Sequence, residues 1–207
     1  ISGVASIIRL AGWTADEMFV ADAGLRMSVP SEPVARGGRR RGGAATGGDS
    51  ARTKEALREL ENYIDRAKRY ADMRRAADAG TLPEASGFVT DLELEAMIPY
   101  VSGERSVLFA ADSYKQILDT LTFAEKTGLR PILIGGREAW KLAETLAKKD
   151  IAVILGSPLD MPSGEFEPWD SVYRCAGVLD AAGVRVAFGS GGAEASFNLG
   201  IAVGMAV

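Results

Sequence analysis

From Val107 onward, short unbroken apolar runs alternate with stretches in which apolar residues recur every three or four positions. The runs at 107–111, 131–134, 151–155 and 184–188 predict strands covered on both faces, because a strand with one wet face alternates instead. The periodic stretches at 114–126, 138–149 and 169–182 predict amphipathic helices, and a further apolar helix begins near Ala195. Gly128 and Gly183 stand where the first and third of these helices should end. Four strand–helix units of this spacing predict parallel strands joined by right-handed crossovers.

The first half is less regular. Residues 6–10 predict a short strand ended by Gly12, and Thr14 before Asp16 and Glu17 predicts the start of a short helix. Leu57, Leu60, Ile64, Ala67 and Ala71 mark a long amphipathic helix from Ser50 to about Ala79, which Gly80 and Pro83 terminate. Residues 92–101 fit one more helix. Between these elements lies a glycine- and arginine-rich segment, 36–48, expected to be a flexible, solvated loop. Its four arginines have no interleaved aromatic residue on which a base would stack.

One early strand and four later ones make five. An open doubly wound sheet and an eight-fold βα barrel both satisfy the pattern. A complete barrel typically needs about 250 residues, and this chain has 207. The chain opens on Ile1 and stops at Val207 inside the apolar run that starts at Leu199. The fold class expected is therefore α/β, a partial or incomplete (β/α)8 TIM-type barrel. Residues 1–207 are read as part of a single barrel domain belonging to a longer protein.

Composition narrows the chemistry. Apolar residues make up 47% and charged residues 25%, which is ordinary globular usage. The chain contains no histidine, which excludes Ser-His-Asp and Cys-His catalysis and histidine-ligated zinc within it. Its single cysteine, Cys175, excludes an internal disulfide and a cysteine-cluster metal site. With no histidine to activate it, Cys175 is read as a small buried residue. A net charge of −4 argues against nucleic acid as a partner. No apolar window reaches the roughly 20 residues that span a bilayer, so no membrane partner is expected.

In a βα barrel the functional residues follow the C-terminal ends of the strands. That rule selects Asp112 and Ser113, then Gly135, Gly136, Arg137 and Glu138, then Ser157 and Asp160, and finally Ser190, Gly191, Gly192, Glu194 and Asn198. Asp112 and Glu138 are the candidate acid–base carboxylates. Each also has a plain structural reading, Asp112 as a helix cap and Glu138 as a charge suited to a first helical turn. Gly135, Gly136, Arg137, Ser190, Gly191 and Gly192 are the candidate ligand-binding residues. The 189–192 turn offers backbone N–H groups to a small anion, and Arg137 adds a charge-assisted contact. Tight turns are the alternative for both glycine groups. Trp140 and Trp169 are read as helix-packing residues.

The order and spacing of several segments resemble the amidohydrolase superfamily, on its imidazolonepropionase-like or prolidase-like branch. The segments are Ile1-Ser-Gly-Val-Ala-Ser-Ile-Ile-Arg-Leu-Ala-Gly-Trp-Thr14, Ser106-Val-Leu-Phe-Ala-Ala-Asp112, Ile117 to Gly128, Pro131-Ile-Leu-Ile-Gly-Gly-Arg-Glu-Ala-Trp-Lys141, Ala152-Val-Ile-Leu155 and Ala182-Gly-Val-Arg-Val-Ala-Phe188. The resemblance implies the middle and late part of a metal-dependent hydrolase barrel acting on carbon–nitrogen bonds other than ordinary peptides. It implies a divalent metal such as zinc. The ligand positions it implies in this chain fall at Ala110 or Ala111, at Gly135 or Gly136, and near Gly191, none of which has a donor side chain. Two functions follow: a hydrolase with an impaired or absent metal site, or a catalytically inactive barrel serving as a binding or assembly subunit. The partners expected are a missing N-terminal segment or another subunit, with the chain oligomeric.

Overall fold

The computed structural model describes residues 1–9, 11–31, 47–81, 88–158 and 167–206. The segment expected to be a flexible loop, 36–48, lies almost wholly outside them. The described residues form one six-stranded sheet in the order β1 (Gly3–Ile8), β2 (Phe19–Met27), β3 (Val107–Ala111), β4 (Pro131–Gly135), β5 (Val153–Leu155) and β6 (Val186–Phe188). β1 is antiparallel to β2, and every later pair is parallel.

This strict chain order decides between the two architectures. A doubly wound sheet reverses its strand order at a switch point, whereas an in-order parallel sheet grows in one direction. With right-handed crossovers, such growth places every connecting helix on the same face. The result is a mixed α/β sheet compatible with part of a barrel, with β1 and β6 as its edges.

Burial follows from that layering. Val107, Phe109, Ala111, Leu133, Val153 and Leu155 are buried and belong to one apolar core with Ile117, Leu121 and Phe123 of α4 (Tyr114–Thr127), Leu146 of α5 (Ala143–Lys148) and Leu179 of α6 (Ser171–Ala181). Strand side chains alternate between faces. Of the alternate positions, Leu108 is buried, Ala110, Ile132, Ile134 and Ile154 are only partly buried, and Ala187 is exposed. The helix-free face is thus apolar and incompletely covered.

The long helix α2 (Gly47–Asp78) buries Ile64, Ala67 and Ala71, as its spacing predicts, buries Tyr70 as well, leaves Leu57 and Leu60 partly buried, and packs on α3 (Leu92–Val101). The Tyr70 hydroxyl donates to Glu95 Oε2 at 2.7 Å and accepts the Asp91 N–H at 3.2 Å, which locks the two helices at one end. α4 starts on a capping box made by Ser113 and Gln116, so Ser113, and not Asp112, is its cap. Gly128 ends it at φ 65°.

Three expectations need correction. The described residues hold six strands, because β2 occupies residues in which the sequence predicts no strand. The helix expected at 138–149 is broken into a 3₁₀ turn, Ala139–Leu142, and the short α5. The apolar helix expected from Ala195 is a 3₁₀ segment, Ala193–Asn198, followed by α7 (Leu199–Met205). The short helix α1 (Ala15–Met18) forms as expected, with Thr14 accepting the Glu17 N–H.

Candidate functional site

The strand ends are joined in a regular stair. The N–H just past each strand donates to the last residue of the preceding one: Gly136 to Ala111 O at 2.8 Å, Gly156 to Gly135 O at 3.1 Å, and Gly189 to Leu155 O at 2.8 Å. These three N–H groups are therefore committed to the sheet, and a ligand must be held by other groups.

Above the stair lies a small open cleft with room of about 30 Å³. Asp112, Arg137 and Ser157 give it polar side chains, and Gly135 and Gly156 give it bare backbone. Leu155, Pro158, Val172 and Phe188 form its apolar wall, with Cys175 among them. The strand-end rule thus gathers Asp112, Gly135, Arg137 and Ser157. The walls contributed by Val172 and Cys175 come from α6, which the rule does not search.

Asp112 is fixed by its surroundings. Its N–H donates to Gln116 Oε1 at 3.2 Å, and its carbonyl accepts the Glu138 N–H at 2.9 Å. Its carboxylate lies over Gly135, whose φ is +100°. A β-carbon built on Gly135 would stand 3.1 Å from Asp112 Cγ and closer still to Oδ1. Glycine at 135 therefore serves both its left-handed backbone and the seat of this carboxylate.

The other predicted residues stand apart from the cleft lining. Glu138 is buried and accepts the Tyr114 N–H at 2.5 Å, at the start of α4. Its Oε1 is 3.5 Å from Lys141 Nζ, which also pairs closely with Glu167. Burial opposes the charge on Lys141, but the pairs with Glu167 and Glu138 outweigh it and hold the ammonium above its ordinary range. Gly136 is a packing position: a β-carbon there would come within 2.9 Å of Val153 Cγ1. Ser190 and Gly192 are partly buried and Gly191 is exposed at φ +75°, in the turn before the 3₁₀ segment. Asp160 and the side chain of Glu194 lie outside the described residues. Trp169 is 79% exposed, so it does not pack as expected; Trp140 is partly buried and carries Lys141 Nζ 5.4 Å from its ring centre.

Cys175 is buried, and its Sγ lies 3.7 Å from the Gly136 carbonyl oxygen. Burial pushes its pKa up from 9.0 to about 11, partly offset by a backbone hydrogen bond at Trp140. The folded state thus keeps a proton that the unfolded state releases, so this group's stabilising effect is present below about pH 9 and is lost as pH rises toward about 11. Two results are expected: negligible reaction of the folded protein with a thiol reagent at pH 8, and a Cys175→Ala variant whose stability falls less than the parent's between pH 9 and 11. Thiol titration and denaturant melts across that range check both.

The metal implied by the resemblance does not fit these residues. The ends of β4, β5 and β6 present Gly135, Gly156 and Gly189, and Asp112 is the one carboxylate among the described residues of the cleft lining. Zinc sites take three or four nitrogen, sulfur or carboxylate ligands, and hard cations take several oxygens. Among the described residues no three His, Cys, Asp or Glu side chains come together in a set able to hold a metal ion.

No family profile and no curated protein matches this sequence. A solved structure described as an amidohydrolase from Thermotoga maritima MSB8 matches 91% of this chain at 21% identity, with a TM-score of 0.66. The match covers 47% of that protein, so this chain spans about half its length. The two share a fold across nearly all of the present sequence.

Proposed function

We propose that this chain is part of an amidohydrolase-type barrel that binds a small carboxylate- or phosphate-bearing ligand at its strand ends, without the divalent-metal hydrolysis associated with that fold. In this reading residues 1–207 belong to one barrel domain. The observation that carries it is the composition of the cleft. Glycine stands at three consecutive strand ends, where metal ligands would have to project, and the described lining includes the cationic Arg137 and the hydroxyl of Ser157 beside an apolar wall. A guanidinium recognises a carboxylate or phosphate by paired N–H donors. Asp112 faces the same cleft and opposes an anion, which keeps affinity modest.

The test is calorimetric titration with acetate and with inorganic phosphate. Loss of one charge-assisted hydrogen bond is worth about 1.5–3 kcal/mol, so Arg137→Met is expected to weaken binding by about tenfold or more. Asp112→Asn removes the like charge and is expected to strengthen binding several-fold. Absence of binding by the parent protein, or an Arg137→Met variant that binds equally well, contradicts the reading.

A second reading is supported by the shared fold: a hydrolase of carbon–nitrogen bonds other than ordinary peptides, with its metal ligands supplied from outside this chain. Fold alone does not carry an activity, and the cleft chemistry favours the first reading.

A further inference from the structure

Two opposite charges line the small cleft at the strand ends, Asp112 after β3 and Arg137 after β4. Asp112 is partly buried. Its backbone is engaged on both sides, the N–H by Gln116 and the carbonyl by Glu138. Among the described residues its carboxylate makes no hydrogen bond and no ion pair, with Arg137 or with any other cation. Glu138 in the same corner shows the contrast, since its carboxylate takes the Tyr114 N–H and pairs with Lys141. A charge drawn partly out of water without a donor carries an uncompensated desolvation cost. The fold makes no use of it, because Ser113 caps α4.

We propose that the ligand of this cleft is a small zwitterion, a free amino acid about the size of alanine, with its ammonium on the Asp112 carboxylate and its carboxylate at Arg137. The proposal rests on the anion reading of the cleft and names the class of ligand. A simple anion meets the charge of Asp112, and a simple cation meets that of Arg137, so each is repelled at one group while it is attracted at the other. A zwitterion presents each of its charges to the opposite one. The donor inventory matches in the same way: an ammonium only donates and a carboxylate only accepts, against an Asp112 that only accepts and a guanidinium that only donates. Leu155, Val172 and Phe188 supply an apolar side on which a methyl group can lie. The room of about 30 Å³ sets the size. One water needs about 10–15 Å³ of such space, so two or three groups of that size enter and a large side chain does not.

Calorimetric titration of the 207-residue chain with alanine, propionate and ethylamine tests this. Propionate is alanine without the ammonium, and ethylamine is alanine without the carboxylate. Alanine is expected to bind at least about tenfold more tightly than either, the scale of one charge-assisted hydrogen bond. This comparison needs no variant. Asp112→Asn keeps the shape of a side chain that has no partner to lose. It is expected to weaken alanine about tenfold while strengthening propionate several-fold, so the two ligands move in opposite directions. Propionate binding as tightly as alanine in the parent protein, or Asp112→Asn strengthening both, overturns the zwitterion and leaves the anion reading standing. Leucine binding more tightly than alanine overturns the size limit and with it the proposal. No binding of alanine, propionate, acetate or phosphate overturns both readings together.

Discussion

Replacing Phe109 by alanine is expected to destabilise the fold by about 3–5 kcal/mol, the range for emptying a filled aromatic core site. Phe109 has no exposed surface. It stands on the middle of β3, in register with Met27 of β2 and Leu133 of β4, both also fully buried. Its ring meets that of Phe123 on α4 edge-on, with centroids 6.2 Å apart. The site is walled by three strands and one helix, so it has little room to collapse and the cavity persists. Phe109→Leu keeps most of the volume and is expected to lose clearly less. Urea unfolding of the two variants and the parent at one fixed protein concentration checks both. An alanine variant within 1 kcal/mol of the parent would mean that β3 is not the centre of the core.

The second large effect is expected at Gly24, inside β2. A β-carbon there would lie 2.7 Å from the Ser106 carbonyl oxygen and 3.1 Å from Leu108 Cγ. The first neighbour is backbone, so it cannot swing aside, and β2 must separate from β3. Gly24→Val is expected to cost about 1–3 kcal/mol through this overpacking, concentrated at the β2–β3 seam. Hydrogen exchange should show the Leu25, Arg26 and Met27 amides losing protection while those of β4 and β5 keep theirs. Uniform loss across all strands would contradict a local effect.

The same two strands show why some elements were legible and others were not. β3, β4 and β5 are unbroken apolar runs, so their residue types leave no competing assignment, whereas the periodicity after β4 does not show that the helix there is broken. β2 reads Phe-Val-Ala-Asp-Ala-Gly-Leu-Arg-Met, and Asp22, Gly24 and Arg26 interrupt any run. Its strand character comes from tertiary contacts. Asp22 pairs with Arg105 at 2.9 Å, Gly24 permits close approach to Ser106, and only Leu25 and Met27 enter the core. None of those partners is near in sequence.

The site divides in the same way. Parallel strands dictate that residues after their C-terminal ends share a rim, and Asp112, Gly135 and Arg137 do share the cleft. Glu138 follows the same rule but is turned to the α4 terminus and Lys141, because a buried carboxylate needs donors and those lie behind the rim. Cys175 and Val172 reach the cleft through the packing of α6, which no spacing along the chain encodes.

The strand-end cleft is expected to bind its ligand without a metal centre. Metal analysis of the purified protein, after incubation with zinc and passage through a desalting column, tests it most directly. With one carboxylate among the described lining residues and glycine at three strand ends, far less than one zinc per chain is expected, with no zinc-dependent hydrolysis of carbon–nitrogen bonds. Near-stoichiometric zinc that survives the column and supports such hydrolysis would contradict the account.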